Sequence, residues 1–276
     1  MTARHLSDTV TLANGVKMPW FGLGVWRTPE GQVVEDAVRF ALEAGYRHID
    51  TAALYANEVG VGNAIRAFGL PREQIFVTSK VWNSDQGYES TLKAFDATQE
   101  RLDLGQLDLY LIHWPVAGKY RETWRALERI YQEGRVRAIG VSNFQVSHLE
   151  DLGAHAEVKP MVNQVELHPR LSQTELTQYC QSRGIQVEAW SPLMQGHLDD
   201  PVLESLSQKY GKSKAQIVLR WDLQRDIITI PKSVHQDRII ENADVFDFEL
   251  AEDDMEAINH MNRNQRYGPD PDHFDF

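Results

Sequence analysis

Residues 107–142, "LDLYLIHWPVAGKYRETWRALERIYQEGRVRAIGVS", hold three patterns in one run. Leu107 to His113 is an apolar stretch of strand length. Trp124, Leu127 and Tyr131 then recur at helical spacing, and Gly134 stops them. "VRAIGVS", residues 136–142, is a second strand like the first. Strand, helix, strand in that order predicts a parallel pair joined by a crossover helix.

Working outward, the same unit repeats along the chain. "FGLGVW" (21–26), "RHID" (47–50), "IFVTSK" (75–80), "MVNQVEL" (161–167), "QVEAW" (186–190) and "IITIP" (227–231) are further strands with helical segments between them. That makes about eight, the number a closed (β/α)8 TIM barrel requires. An open doubly wound sheet shares much of this pattern, but the number of units and their spacing of roughly thirty residues favour closure. The expectation is one α/β barrel domain over 1–276. It is preceded by a hairpin, "TVTLANGVKMPW", turning at Asn14-Gly15, and followed by a short tail, "RYGPDPDHFDF". Val33, Val34, Ala37, Phe40, Ala41 and Ala44 predict one helical stripe, with Pro29 in its first turn and Gly45 as its stop. Ser172 with Glu175, and Ser213 with Gln216, have capping-box spacing.

Composition excludes several classes of function. The chain has 28 Lys+Arg against 40 Asp+Glu, net −12, which argues against broad binding to nucleic acid or anionic lipid. No stretch approaches the roughly 18 apolar residues that cross a bilayer, and the start lacks the apolar core of a signal peptide. Cys180 is the only cysteine, so no internal disulfide forms, which suits a reducing cytoplasm. Its spacing to Leu176 and Tyr179 predicts core packing.

Barrel chemistry sits at the C-terminal ends of the strands. Asp50, Lys80 and His113 close three of them, and Tyr55 follows Asp50 in the next loop. Each has a plain alternative: a helix cap, a solvated strand end, a core histidine, a rim ring. Together they are coherent. A tyrosine is a poor acid at neutral pH, and an ammonium about 4 Å away at an effective dielectric near 20 interacts with it by about 4 kcal/mol, roughly a thousandfold in acidity before desolvation. Asp50 would keep that lysine charged, and a neutral His113 could donate to a carbonyl oxygen.

Such an acid needs a hydride source. "GLGVWR" and "GVGNAI" lack the third glycine of G-x-G-x-x-G, and no metal motif appears. The strand ends offer another site: Ser142, Asn143 and Gln164 to grip a carboxamide, and Trp190 and Ser191, with the Trp190 ring placed for stacking. Lys232, Ser233 and Arg238 at a helix start suit phosphate, although a solvated basic turn would read the same way.

"GYRHIDTAALYANE", "SKVW", "LDLYLIHWP", "GVSNF", "NQVELHP", "AWSPL" and "IPKSVHQDRIIEN" together resemble the aldo-keto reductase family, in order and over nearly the whole chain. The resemblance implies a barrel that binds NADPH without a Rossmann domain and Asp50, Tyr55, Lys80 and His113 as a catalytic tetrad. It assigns Ser142, Asn143 and Gln164 to the nicotinamide carboxamide and Trp190 to its ring. Ser191, Leu193, Gln195 and Gly196 follow along the cofactor, Lys232, Ser233 and Arg238 meet the 2′-phosphate, and Glu241 and Asn242 lie toward the adenine. It also implies a substrate pocket of Trp26, Trp82, His113 and Trp114, and no metal. Short loops after His113 and Ser191 are similar to those of bacterial-type glyoxal/methylglyoxal reductases and 2,5-diketogluconate reductases, and predict a pocket open on its outer side. The expected activity is reduction of small carbonyls by a cytoplasmic monomer. A keto-sugar reductase and a noncatalytic NADP-binding subunit are the alternatives; a Schiff base at Lys80 would need a depressed lysine pKa, which Asp50 opposes.

Overall fold

The computed structural model describes Ala3 and residues 5–276. A short antiparallel ribbon, β1 (Thr9–Thr11) and β2 (Lys17–Pro19), precedes eight strands: β3 (Leu23–Gly24), β4 (His48–Asp50), β5 (Phe76–Val81), β6 (Leu107–Ile112), β7 (Val136–Ser142), β8 (Val162–Glu166), β9 (Gln186–Trp190) and β10 (Ile228–Thr229). All eight pair in parallel and in chain order, as crossover connections require. The helices between and after them are α1 (Gln32–Glu43), α2 (Glu58–Phe68), α3 (Tyr88–Leu102), α4 (Tyr120–Gln132), α5 (Val146–Gly153), α6 (Thr174–Ser182), α7 (Pro201–Tyr210), α8 (Lys214–Gln224), α9 (Gln236–Ala243) and α10 (Glu252–Asn259).

The sheet closes on itself. Phe21 bridges Thr229 in parallel, Gly22 N donates to the Thr229 carbonyl at 3.1 Å, and Thr229 N donates to the Trp20 carbonyl at 3.1 Å. The two strands at this seam are the shortest of the eight, two residues each. The ribbon lies at the opposite end from the site: Asn14 Nδ2 donates to the Arg137 carbonyl at 2.9 Å, at the start of β7. Leu12 and Met18 are buried beneath it.

Tyr110, Leu111, Ile112, Ile139 and Val141 are buried, as an apolar run of strand length predicts for a barrel with helices outside it. Cys180 is buried too. Local punctuation departs from expectation in three places. Helix α1 starts at Gln32 after Gly31, so Pro29 stands outside its first turn; Val33 faces solvent, while Val38 and Leu42 take part in the buried stripe. Ser213 and Gln216 form the expected capping box at α8. Ser172 and Glu175 do not form one, because Gln173 turns left-handed at φ 48° and is itself the N-cap of α6, leaving Ser172 Oγ against Thr174 Oγ1 at 3.1 Å. A capping box that the sequence left unread joins Gln145 and His148 at α5.

Candidate active site

Strand β4 ends on Asp50, β5 carries Lys80 near its end, and the chain after β4 makes one 3-10 turn, Ala53–Tyr55, that brings the phenol back over the barrel mouth. Lys80 Nζ then has three acceptors for its three protons: Asp50 Oδ1 at 2.6 Å, the Thr51 carbonyl at 3.0 Å and Tyr55 Oη at 3.3 Å. His113, just past β6, sets its ring edge-on to Tyr55 with centroids 5.7 Å apart. Its Nδ1 is sealed from solvent and has no partner among the described residues.

Burial opposes the charge on Lys80, yet Asp50 foremost, with Tyr55 and Glu188, outweighs it and holds the ammonium above its ordinary range. A lysine so held is a poor Schiff-base former. Burial, reinforced by the Lys80 charge, pushes His113 well below its usual range and leaves the imidazole neutral. Tyr55 departs from expectation: burial raises the phenol pKa by more than Lys80 lowers it, and Asp50 and Glu188 add to the rise. The resting phenol therefore keeps its proton.

At the next strand ends, Ser142 Oγ donates to the Gln164 carbonyl at 2.8 Å, Asn143 Nδ2 to the His113 carbonyl at 2.9 Å, and Trp190 Nε1 to Asn143 Oδ1 at 2.9 Å. Gln164 Nε2 donates to Asp50 Oδ2 and to Glu188 Oε2, both at 2.7 Å. These residues are mutually braced. They leave the Gln164 side-chain oxygen without a donor among the described residues and one half-exposed tryptophan ring beside it, which fits a nicotinamide carboxamide and its ring. The ring lies so close to Gly268 that a Cβ there would stand 2.4 Å from it.

After β9, Ser191 takes a left-handed φ of 53° and starts the turn through Leu193, Gln195 and Gly196. Gln195 Nε2 reaches the Tyr267 carbonyl at 3.3 Å. Past β10, Lys232 and Arg238 are exposed and form no ion pair among the described residues, Ser233 is buried with its hydroxyl on the His235 backbone, and Glu241 and Asn242 lie one turn on in α9. Unpaired cations at a helix start fit a phosphate.

The three expected tryptophans stand in different settings. Trp82 packs edge-on to His113 at 5.1 Å, and Trp114 is buried, but Trp26 is 40% exposed under Arg27 and has no ring contact with either among the described residues. The tail adds two further rings. Phe276 stacks on Trp82 at 5.8 Å and sets its edge on Trp114 at 5.2 Å, and Phe274 lies 5.2 Å from Trp114. Phe274 and Phe276 thus stand on the outer side of these two rings. Glu166 anchors that tail by accepting from the backbone N–H of Tyr267 at 2.7 Å and of Gly268 at 3.2 Å.

Glu166, Glu188 and the two phenylalanines escaped sequence reasoning. The glutamates had a signal: each is an acid in a buried strand of a parallel barrel, where unpaired charge is expensive. The phenylalanines had none, since a tail can dock anywhere.

Residues 20–263 match the family described as the Aldo/keto reductase family. An uncharacterized oxidoreductase of Bacillus subtilis, YtbE, is 63% identical over 277 residues, 99% of each chain. A glyoxal reductase of the same organism is 60% identical over 268 residues, 97% of each. Among solved structures, a Gox0644 mutant in complex with NADPH has a TM-score of 0.92 at 43% identity, over 98% of this chain and 99% of that one.

Proposed function

The chain belongs to the aldo/keto reductase family and is an NADP(H)-dependent oxidoreductase; from that premise we propose that it reduces small aldehydes and α-dicarbonyls, methylglyoxal and glyoxal among them, to alcohols. One observation carries the reading: a single ammonium, Lys80, spans Asp50 and Tyr55 at the mouth of the barrel, with a neutral imidazole alongside. NADPH, when bound, would supply the hydride. His113 orients the carbonyl oxygen and stabilises charge gathering on it; Tyr55 Oη gives that oxygen its proton, and Lys80 stabilises the phenolate left behind. Ser142, Asn143 and Gln164 hold the carboxamide, Trp190 backs the ring, and Lys232, Ser233 and Arg238 take the 2′-phosphate. The enzyme works as a monomer in the cytoplasm, where a lone buried thiol stays reduced.

The ring wall of Trp82, Trp114, Phe274 and Phe276 favours short substrates. In α-dicarbonyls the second carbonyl makes the reacting carbon more electrophilic. Steady-state NADPH oxidation over methylglyoxal, glyoxal, short ketones, keto-sugars and a steroid ketone is the test. Methylglyoxal should have the higher kcat/KM over the ketones. A steroid ahead by about tenfold, about 1.4 kcal/mol of transition-state binding, would overturn the substrate class.

A further inference from the structure

Glu188 meets neither substrate nor cofactor in the chemistry above and acts there only through its charge, yet it is fully buried in β9, pointing into the barrel. Its Oε2 accepts from Gln164 Nε2 at 2.7 Å, its Oε1 has no hydrogen-bond partner, and His48 Nε2 stands 3.6 Å from it. Together with His48 and Asp50 it could pass for a metal cluster. The Lys80 ammonium, 2.6 Å from Asp50, already gives one of the three its cationic partner.

We propose that Glu188 is a positioning residue that, with Asp50, clamps the amide of Gln164 so that only its carbonyl oxygen can meet the cofactor. An amide nitrogen has two protons, and here both are taken, one by each carboxylate at 2.7 Å. Turning the amide over would set its oxygen against Asp50 Oδ2 and withdraw both N–H donors from the two carboxyl groups. The clamp makes Gln164 an acceptor, which commits the ligand's carboxamide to present its NH2 group there. Reach, and not charge, is what Glu188 supplies, because a neutral acceptor at the same distance would serve as well. This inference rests on the reading of Gln164 as a carboxamide ligand.

Calorimetric titration with two ligands separates the parts: NADPH, and 2′,5′-ADP, which has the phosphates but no nicotinamide. Glu188→Asp keeps the charge and withdraws the acceptor by one methylene; Glu188→Gln discards the charge and keeps the reach; Glu188→Leu removes both. The aspartate and leucine variants should raise the NADPH Kd about three- to tenfold, the range of one hydrogen bond, and leave 2′,5′-ADP within about twofold, while the glutamine variant stays near wild type for both. If the leucine variant does not fold, the contrast of aspartate with glutamine decides alone. Equal weakening of both ligands, wild-type affinity in Glu188→Asp, or a Glu188→Gln loss as large as that of aspartate would refute the clamp. Failure of wild type to bind NADPH would instead remove the functional reading beneath it.

Discussion

Tyr55 is where the proposed chemistry is most exposed to a single atom. Tyr55→Phe removes the hydroxyl that lies 3.3 Å from Lys80 and little else, so carbonyl reduction should fall by about 100- to 10,000-fold while NADPH affinity stays nearly unchanged. A variant retaining more than about a tenth of kcat would refute its role. A second residue gives a pH signature. Asp222 is buried in α8 with one oxygen on Thr229 Oγ1 at 2.9 Å and the other unpartnered, and burial pushes its pKa up to about 8 from 3.8. Between those values the folded chain holds a proton that the unfolded chain has lost. Stability should therefore fall as pH rises from about 4 to 8, by up to about 1.4 kcal/mol per pH unit, and level off beyond. Asp222→Asn cannot lose that proton, so thermal melts at pH 5 and pH 8.5 should differ less in the variant than in wild type. Parallel pH dependence in the two would rule out Asp222 as a source. Glu188, raised to about 8 chiefly by burial, adds a similar slope that the variant retains.

Among the elements, α9 is the one whose start has a proposed task. Arg238 sits in its first turn, exposed and without an acidic partner among the described residues, so its guanidinium is free for the bidentate grip a 2′-phosphate accepts. Arg238→Ala should raise the NADPH Kd about tenfold or more and leave NADH almost unaffected; equal loss for both in titrations would assign the basic turn another role. The elements also show what a sequence can carry. The crossover units and the residues Asp50, Lys80 and His113 at strand ends were legible because strand ends are set by local pattern, and barrel architecture fixes what lies there. Ser172 misled because capping-box spacing says nothing of the left-handed turn at Gln173 that moves the cap one residue on. The acidity expected of Tyr55 erred for a different reason: distance to a charge can be guessed from topology, but desolvation depends on everything packed around the oxygen.

At the scale of the whole molecule, the tail sets two more rings beside the barrel mouth. Phe274 and Phe276 meet Trp114 and Trp82 across most of the chain's length, a contact no local pattern encodes. Phe276→Ala should remove its ring contacts with Trp82 and Trp114, raising kcat/KM for bulky aromatic aldehydes relative to methylglyoxal by several-fold or more, each lost ring contact being worth up to about tenfold. Unchanged ratios across a graded aldehyde series would show that the tail does not bound the substrate. The seam between Phe21 and Thr229 bears on a different question, the order in which the chain assembles. Every other neighbouring pair of barrel strands is joined by one crossover, so each can form once its own helix is in place. The seam alone must bring together the two ends of the sheet, with the largest loop-closure entropy and two-residue strands to reward it. The arc of strands should therefore form before the ring closes, and β10 with the turn after it, which carries Lys232, should be placed last.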